Sequence, residues 1–302
     1  MARSALVTAI APHRLPPAAL GAYQAVRRRR RLGVFAGAAA VLALAVVAAR
    51  VAEVEPSRLA AHIGGFFGYF DRLLTLEAGD SAGQRVWSDP AEWFWGLRRW
   101  LRLLGDTLLM AYVGTLLGAC GALCLGFAAA ANLVPNRWLR GAVRRLLEVC
   151  RTVPDIVFAL VFVIAFGLGP LPGVLALALH SLGSLGKLFS EVVENADMGP
   201  MEGALAAGAA WPAAVRFAVL PQVVADLSGY ALLRFEINVR QASVLGFVGA
   251  GGIGQDLIEA VRKFYYNDVA ALLLLIVLTV MALDIATGWL RQQLAGDTGA
   301  RA

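Results

Sequence analysis

The 302-residue chain is apolar, with 59% hydrophobic and 16% charged residues, whereas soluble globular chains carry about 45–50% and about 25%. This balance argues against a soluble protein and allows several membrane-spanning helices, each of about 20 apolar residues. Much of the net charge of +6 lies in arginine blocks beside apolar segments, where it orients a membrane protein and does not indicate nucleic-acid binding. The three cysteines form no C-x-x-C pair, so we expect neither a disulfide framework nor a metal site.

The first predicted element is a membrane anchor at residues 32–50. Five consecutive arginines, Arg27–Arg31, precede this apolar run, and no convincing cleavage site follows it. The run is therefore predicted to be a retained span and not a signal peptide. The positive-inside rule places residues 1–31, a basic tail, in the cytoplasm. Binding of anionic lipid headgroups is the alternative role for the five arginines.

Residues 51–104 are then predicted to form an external loop. The loop concentrates four tryptophans, as membrane surfaces do: Trp87, Trp93, Trp95 and Trp100. In the segment AEWFWGLRRWLRLLG, apolar side chains share one helical face and the arginines lie off it. This pattern predicts a helix that lies in the membrane interface.

Residues 105–290 hold five further apolar runs, so the predicted fold is all-α and polytopic, with about six transmembrane helices. The run 107–131 carries Gly114 and Gly118 as G-x-x-x-G, which favours close helix packing. The next span is predicted to start near residue 155, with Thr152 as its cap, Pro154 in its first turn and Asp155 at the positive end of its dipole. Six spans place both termini, including the tail 291–302, in the cytoplasm.

Polar side chains inside the spans are costly, by about 2.5–3.5 kcal/mol for a charge, and so mark candidate pathway residues. The fourth span carries a polar stripe at helical spacing, in which Lys187 and Glu191 either pair with each other or face a pathway. On the fifth span, Arg234 either pairs with Asp226 or another span, or contacts a ligand oxyanion. The candidates are His180, Ser184, Arg234, Glu236, Asn238, Arg240 and Ser243.

A glycine-rich stretch, GFVGAGGIGQ, has the G-x-G-x-x-G spacing of a dinucleotide-binding turn. That motif requires a surrounding βαβ unit, but the segment FYYN is too short for the second strand and an uncharged run follows it. The stretch is therefore predicted to be an external loop that folds tightly back against the spans. Its glycines are Gly249, Gly251, Gly252 and Gly254.

The acidic loop 191–221 carries the most informative motif. Its pattern resembles the cytoplasmic signature loop of ABC importer permeases. In that family the loop reads E-A-A, then three residues, G, nine residues and I-x-L-P. This chain departs from the pattern at Gly203, which replaces the first alanine, and at Ala218, which replaces the isoleucine. The matching residues are Glu202, Ala204, Gly208, Leu220 and Pro221. A short helix of small residues can seat in a partner's groove, Glu202 can pair with a basic group there, and Pro221 is expected to fix where the fifth span begins.

A narrower resemblance covers residues 180–258. The string RFEINVRQASVLGFVGAGGIGQDL is similar to the phosphonate-transporter branch of these permeases. The resemblance implies a type I ABC importer permease with its core at 105–290, no catalytic residues and no cofactor of its own. It also implies a homodimer in the inner membrane, two cytoplasmic subunits that bind ATP and Mg, and an external substrate-binding protein.

Three alternatives remain open on the sequence alone. The first is a permease for another small solute such as phosphate or an amino acid. The second is an ion-coupled secondary carrier, and the third is a membrane oxidoreductase that uses the glycine loop. No G-x-x-x-x-G-K-[ST] phosphate loop is present. Any ATP chemistry is therefore expected in a partner subunit.

Overall fold

The computed structural model describes residues 17–76 and 81–299, and this part of the chain consists of helices joined by turns and loops, with one isolated β-bridge between Thr75 and Arg85. Its α-helices are α1 Pro17–Val51, α2 Pro56–Leu73, α3 Pro90–Trp93, α4 Leu97–Ala129, α5 Arg137–Thr152, α6 Asp155–Phe166, α7 Pro170–Glu194, α8 Gly199–Ala206, α9 Trp211–Ala214, α10 Leu220–Leu245, α11 Ile253–Arg262 and α12 Tyr266–Gly299.

Four helical segments are long and apolar enough to cross a membrane: Arg27–Val51, Leu97–Ala129, Pro170–Glu194 and Tyr266–Leu294. Two bent helix pairs raise the count to six if each pair forms one span. The prediction of an all-α polytopic membrane protein with about six spans is confirmed. The glycine stretch has no flanking strand within the described residues, so it does not form a dinucleotide-binding βαβ unit.

The described chain divides into two compact units after Gly68. In the first unit, α1 starts at Pro17 and runs without a break through the five arginines to Val51. Residues 17–31 of the predicted tail are therefore helical, whereas residues 1–16 lie outside the described residues. At 1.5 Å per residue the 35-residue helix is about 52 Å long, which exceeds the roughly 30 Å hydrocarbon core.

In the second unit, the predicted interfacial helix is part of a longer element. Helix α4 starts at Leu97 and continues unbroken for 33 residues, because no glycine or proline turn interrupts it before residue 129. Trp100 is buried and packs with Ile253 and Leu257 of α11. Trp100 and Leu104 of the apolar stripe therefore contact protein, whereas Leu97 and Leu101 are exposed. The segment is not a separate helix, and its position in the membrane interface stays a prediction.

Helices α4 and α7 pack in parallel along a row of small residues. A Cβ atom built on Gly114 would touch Leu177, and one built on Gly118 would lie 2.6 Å from the Cβ of Ser181. Further along, Gly126 faces Phe189 in the same way. The residue numbers of both helices rise together, so the helices run in the same direction, and the predicted close packing at the G-x-x-x-G motif is confirmed.

The segment after α4 differs from the sequence prediction in two respects. The arginine-rich stretch predicted as a loop forms α5, and α5 and α6 meet at an angle of 87°. Thr152 ends α5 and donates a hydrogen bond to the carbonyl of Glu148, so it does not cap α6; Pro154 takes the cap position instead. With 12 residues, α6 is about 18 Å long, and it crosses the membrane only together with α5.

The fifth span begins earlier than predicted. The helix starts at Trp211, widens into a π-helical turn at Val215–Val219 and continues into α10. In this turn the N–H of Leu220 donates to the carbonyl of Val215, five residues back. Pro221 therefore lies inside a continuous helical segment, and the wider turn accommodates a residue that has no N–H to donate.

Candidate functional site

The 191–221 loop forms a compact cap at one end of the bundle. Helix α8 is anchored by the buried Met201, and Gly208 then reverses the chain with a φ of +88°. A positive φ favours glycine, because a Cβ atom strains this conformation. The loop is tied to α10 by Gln222, which accepts from the N–H of Asp197 at 3.1 Å and donates to its carbonyl at 3.0 Å.

The motif residues of this loop differ in their environments. Glu202 is exposed on α8 and has no ion-pair partner within the described part of the chain. Ala204 is half-buried and packs against the hydrophobic core, whereas Pro221 is exposed. Leu220 is half-buried at the start of α10. The loop thus exposes small residues and the carboxylate of Glu202, on a base that is fixed to a spanning helix.

A second group of polar residues lies inside the bundle, between α4, α7 and α10. Asn238 is fully buried, and its side-chain N–H groups donate to Thr115 and Ser181, both at 2.8 Å. The Nε of Arg234 donates to the same Ser181 hydroxyl at 3.1 Å. We call Thr115, Ser181, Arg234 and Asn238 the buried polar cluster.

Arg234 is 8% exposed and takes part in none of the ion pairs between described residues. The predicted pairing with Asp226 is therefore not formed. Besides Ser181, its guanidinium donates to Gln241 at 3.3 Å. The carboxylate of Asp155, at the start of α6, forms no ion pair with Arg234.

Glu236 is buried and belongs to a separate cluster between α10 and α12. It pairs with Arg240 at 2.9 Å and with Arg291 at 3.6 Å. The hydroxyl of Ser243 is buried and donates to the carbonyl of Val239 within its own helix. The pair with Arg291 joins α10 to α12, whereas the other two contacts lie within α10, and none of them brings Glu236, Arg240 or Ser243 to the buried polar cluster.

The polar stripe on α7 leads from one end of the bundle toward the buried polar cluster. Lys187 and Glu191 pair with each other at 3.5 Å, which is one of the two alternatives predicted for them. Ser184 and His180 follow on the same face, and both are half-buried. The Nδ1 of His180 donates to the carbonyl of Val153 at 3.1 Å, so His180 lies beside the break between α5 and α6.

The glycine loop lies at the opposite end of the bundle from α8. The N–H of Gly169 donates to the carbonyl of Gly249, and the N–H of Ile253 donates to the hydroxyl of Thr107. Gly249, Gly251 and Gly252 have positive φ angles of +83°, +82° and +76°. A Cβ atom on Gly254 would overlap the carbonyl oxygen of Ser243. The glycines therefore let the loop fold tightly against the helices.

No group of three or more histidine, cysteine, aspartate or glutamate residues is close enough to hold a metal ion within residues 17–76 and 81–299. Sequence reasoning identified Arg234 and Asn238 but missed their partners, because Thr115 and Ser181 are single small polar residues in apolar runs. Their positions beside the packing glycines were the available signal. Gln222 was missed because its role depends on a contact made across the loop.

An exposed helical loop tied to one spanning helix, together with buried polar groups between the spans, defines a polytopic transport protein. Residues 122–297 match the family of binding-protein-dependent transport system inner membrane components, and the chain belongs to this family.

Three similar proteins are named as permeases for phosphite or phosphate. The phosphite transport system permease protein PtxC of Stutzerimonas stutzeri is 44% identical over 66% of this chain and 72% of the relative. The protein HtxC of the same organism, named as a putative phosphite transport system permease, is 34% identical over 88% of both chains. The phosphate-import permease PhnE of Mycolicibacterium smegmatis is 42% identical over 60% of this chain and 34% of that protein.

Solved structures support the fold. The MetNI methionine ABC transporter in an inward-facing conformation matches with a TM-score of 0.58 and 23% identity, over 68% of this chain and 98% of that chain. An amino acid ABC transporter crystallised with histidines matches with a TM-score of 0.52 over 66% and 98%. At these identities the match establishes the architecture and not the ligand.

Proposed function

We propose that this chain is the permease subunit of an ATP-driven importer that carries a phosphonate or a related phosphorus oxyanion into the cytoplasm. The observation that carries the proposal is the exposed helix α8, with its unpaired Glu202, on a loop that Gln222 ties to α10. The names of the relatives support phosphorus oxyanions as the ligand class. A permease for another small solute and an ion-coupled carrier are the alternatives.

The same proposal assigns the partners and the topology. Two copies of the chain form a homodimer in the inner membrane, each copy seats one cytoplasmic ATP-binding subunit, and an external binding protein delivers the ligand. ATP and Mg bind to the partner subunits, and this chain needs no cofactor. Both termini and α8 are cytoplasmic and the glycine loop is external. The positions of α8 and the glycine loop at opposite ends of the bundle agree with this topology, as does the positive-inside rule for Arg27–Arg31.

Coupling follows from how α8 is held. A partner that pushes on α8 moves Met201 and the 191–221 loop together, because Asp197 is fixed to Gln222 at the start of α10. Such a displacement is passed to the 26-residue helix α10 as a rigid-body movement. Glu202 contributes a negative charge to the contact, which a basic residue of the ATPase can pair with.

The experiment uses the complex of this chain with its ATPase, reconstituted with the binding protein in vesicles. Glu202→Arg is expected to abolish ligand-stimulated ATP hydrolysis and uptake, and Glu202→Gln is expected to cause a smaller loss. The control variant Glu92→Arg, in α3 at the opposite end of the bundle from α8, is expected to have no effect. Phosphonate, phosphite, phosphate and an amino acid form the ligand panel. Normal stimulated hydrolysis in Glu202→Arg would refute the coupling role, and uptake that needs no ATPase subunit would favour the ion-coupled carrier.

A further inference from the structure

Arg234 lies near the middle of the bundle. Its hydrogen-bond partner Ser181 packs against Gly118 of α4. Gly118 is eleven residues from Thr107, which lies at the glycine-loop end of α4, and eleven residues from Ala129, at the other end of that helix. Eleven helical residues span about 16 Å, so Gly118 and Ser181 are close to mid-depth. A cation at this depth is costly, and it is usually paired or faces a water-filled path.

The guanidinium of Arg234 has unused donors. An arginine carries five N–H donors, and two of them reach Ser181 and Gln241. No other hydrogen bond and no ion pair of Arg234 is found among the described residues. Three donors are therefore free on a side chain that is 8% exposed, and two hydrogen bonds fix the direction in which the remaining donors point.

The surroundings of Arg234 are polar where a lipid-facing surface would be apolar. His180 and Gln241 are half-buried beside it, and Ser184 and the Lys187–Glu191 pair continue the stripe toward one end of the bundle. By contrast, the outer faces of the other helices are apolar, as at Leu160, Val161 and Ile164 of α6 and at Val277, Leu278 and Met281 of α12. The polar face is therefore the one that lines a path through the protein.

Asp155 supplies the counter-charge in this arrangement. It lies at the start of α6, two residues after Val153, whose carbonyl accepts from His180, the neighbour of the Ser181 that Arg234 contacts, and no ion pair joins Asp155 to Arg234. The backbone N–H groups of Asp155 and Ile156 have no hydrogen-bond partner in the described chain, and no side chain caps this helix. Unpaired N–H groups at a helix start favour negative charge, so a ligand oxyanion that enters here meets Arg234 and the first turn of α6, and competes only with Asp155.

We propose that Arg234 binds the phosphorus oxyanion during passage through the membrane, with Asp155 as the counter-charge that the ligand displaces. The guanidinium fork matches two oxygens of a phosphonate or phosphite group. This inference rests on the proposed function for its ligand class, but it concerns a contact inside the spans and not the delivering protein. Arg234 is thus a ligand contact in addition to its packing role.

The test measures uptake of radiolabelled methylphosphonate and phosphite by vesicles that contain the complete complex. Arg234→Gln is expected to lower the maximal uptake rate at least tenfold and Arg234→Lys by less, because lysine keeps the charge and loses the fork. Asp155→Asn is expected to retain uptake and to lower the half-saturating ligand concentration severalfold. Arg98→Gln, an exposed arginine in the first turns of α4, serves as the matched control and stays at the wild-type rate.

The outcomes separate a ligand contact from a structural one. If Arg234→Gln keeps its uptake within twofold, the inference is overturned. It is also overturned if Arg234→Gln and Asp155→Asn lose uptake equally and the double variant is no worse, because that pattern indicates a structural charge pair. Failure of the wild-type complex to import any phosphorus oxyanion would instead refute the proposed ligand class. The Arg234 variants would then be measured with the ligand that is imported. A neutral or cationic ligand would refute both the proposed ligand class and the role of Arg234 as an oxyanion contact.

Discussion

Gly118 lies where α4 packs against the backbone of α7. A Cβ atom at this position would be 2.6 Å from the Cβ of Ser181 and 2.8 Å from the carbonyl oxygen of Ala178. The second contact is with backbone, so a side-chain rotation cannot relieve it, and Gly118→Ala must push the two helices apart. Overpacking of this kind costs about 1–3 kcal/mol.

A matched glycine on the same helix isolates this cost. Gly105 has no atom within 4 Å of its built Cβ, so Gly105→Ala is expected to stabilise the helix by up to about 1 kcal/mol. The two alanine variants gain the same helix propensity and differ by the overpacking term of about 1–3 kcal/mol, which is a factor of about 5–150 in the folded-to-unfolded ratio. Reversible unfolding in mixed detergent micelles, followed by circular dichroism, measures the difference. Equal stability of the two variants would refute the close α4–α7 packing.

Two further predictions concern the ends of the bundle. Gln222→Leu removes both hydrogen bonds to Asp197. It is expected to lower ligand-stimulated ATP hydrolysis severalfold while basal hydrolysis stays unchanged. An unchanged ratio of stimulated to basal rates would show that these hydrogen bonds do not transmit movement. Gly254→Ala places a Cβ atom on the carbonyl oxygen of Ser243 and is expected to abolish folded protein, whereas Gly203→Ala, which has open space around it, accumulates normally. Size-exclusion chromatography of the two detergent-solubilised variants measures this, and a monodisperse Gly254→Ala variant would contradict the packing at the glycine loop.

The positions of the long spans could be predicted because apolar length is a local property of the sequence. The fourth predicted span, with its polar stripe, corresponds to α7 at Pro170–Glu194. The close packing at Gly114 and Gly118 was likewise predictable, since small residues at a spacing of four have few other uses in a membrane. Local composition thus predicted the long apolar helices and one of their main contacts.

Helix breaks were not predictable in the same way. Pro154 and Pro221 are both prolines near a predicted span start, yet the chain bends by 87° near the first and continues through a π-helical turn at the second. A proline removes one N–H donor in either case, and the packing around it decides whether the helix breaks or widens. The arginine-rich stretch that became α5 shows the same limit, because its apolar residues Leu147 and Cys150 became informative only once α7 covered them.

The partners of buried polar residues were the least predictable feature. Pairing with Asp226, eight residues away on the same helix, was one of the alternatives for Arg234, but Arg234 contacts Ser181 of α7 and Gln241 instead. Such contacts depend on how helices rotate against one another, and one sequence contains no direct signal of that rotation. The candidate Glu236 was similarly placed in the pathway group, and the structure assigns it to the α10–α12 contact with Arg291.

Helix α10 connects the features on which the proposed mechanism depends. Gln222 near its first turn holds the 191–221 loop, Arg234 in its middle donates to Ser181 of α7, and its end leads into the glycine loop. A displacement at α8 therefore reaches Arg234 through about three turns of one helix, without a flexible joint between Gln222 and Arg234. The π-helical turn lies on the α8 side of Gln222, so it can absorb local strain while Gln222 still moves α10. For this reason, loss of the Gln222 contacts is expected to affect coupling, and loss of the Arg234 guanidinium is expected to affect ligand passage.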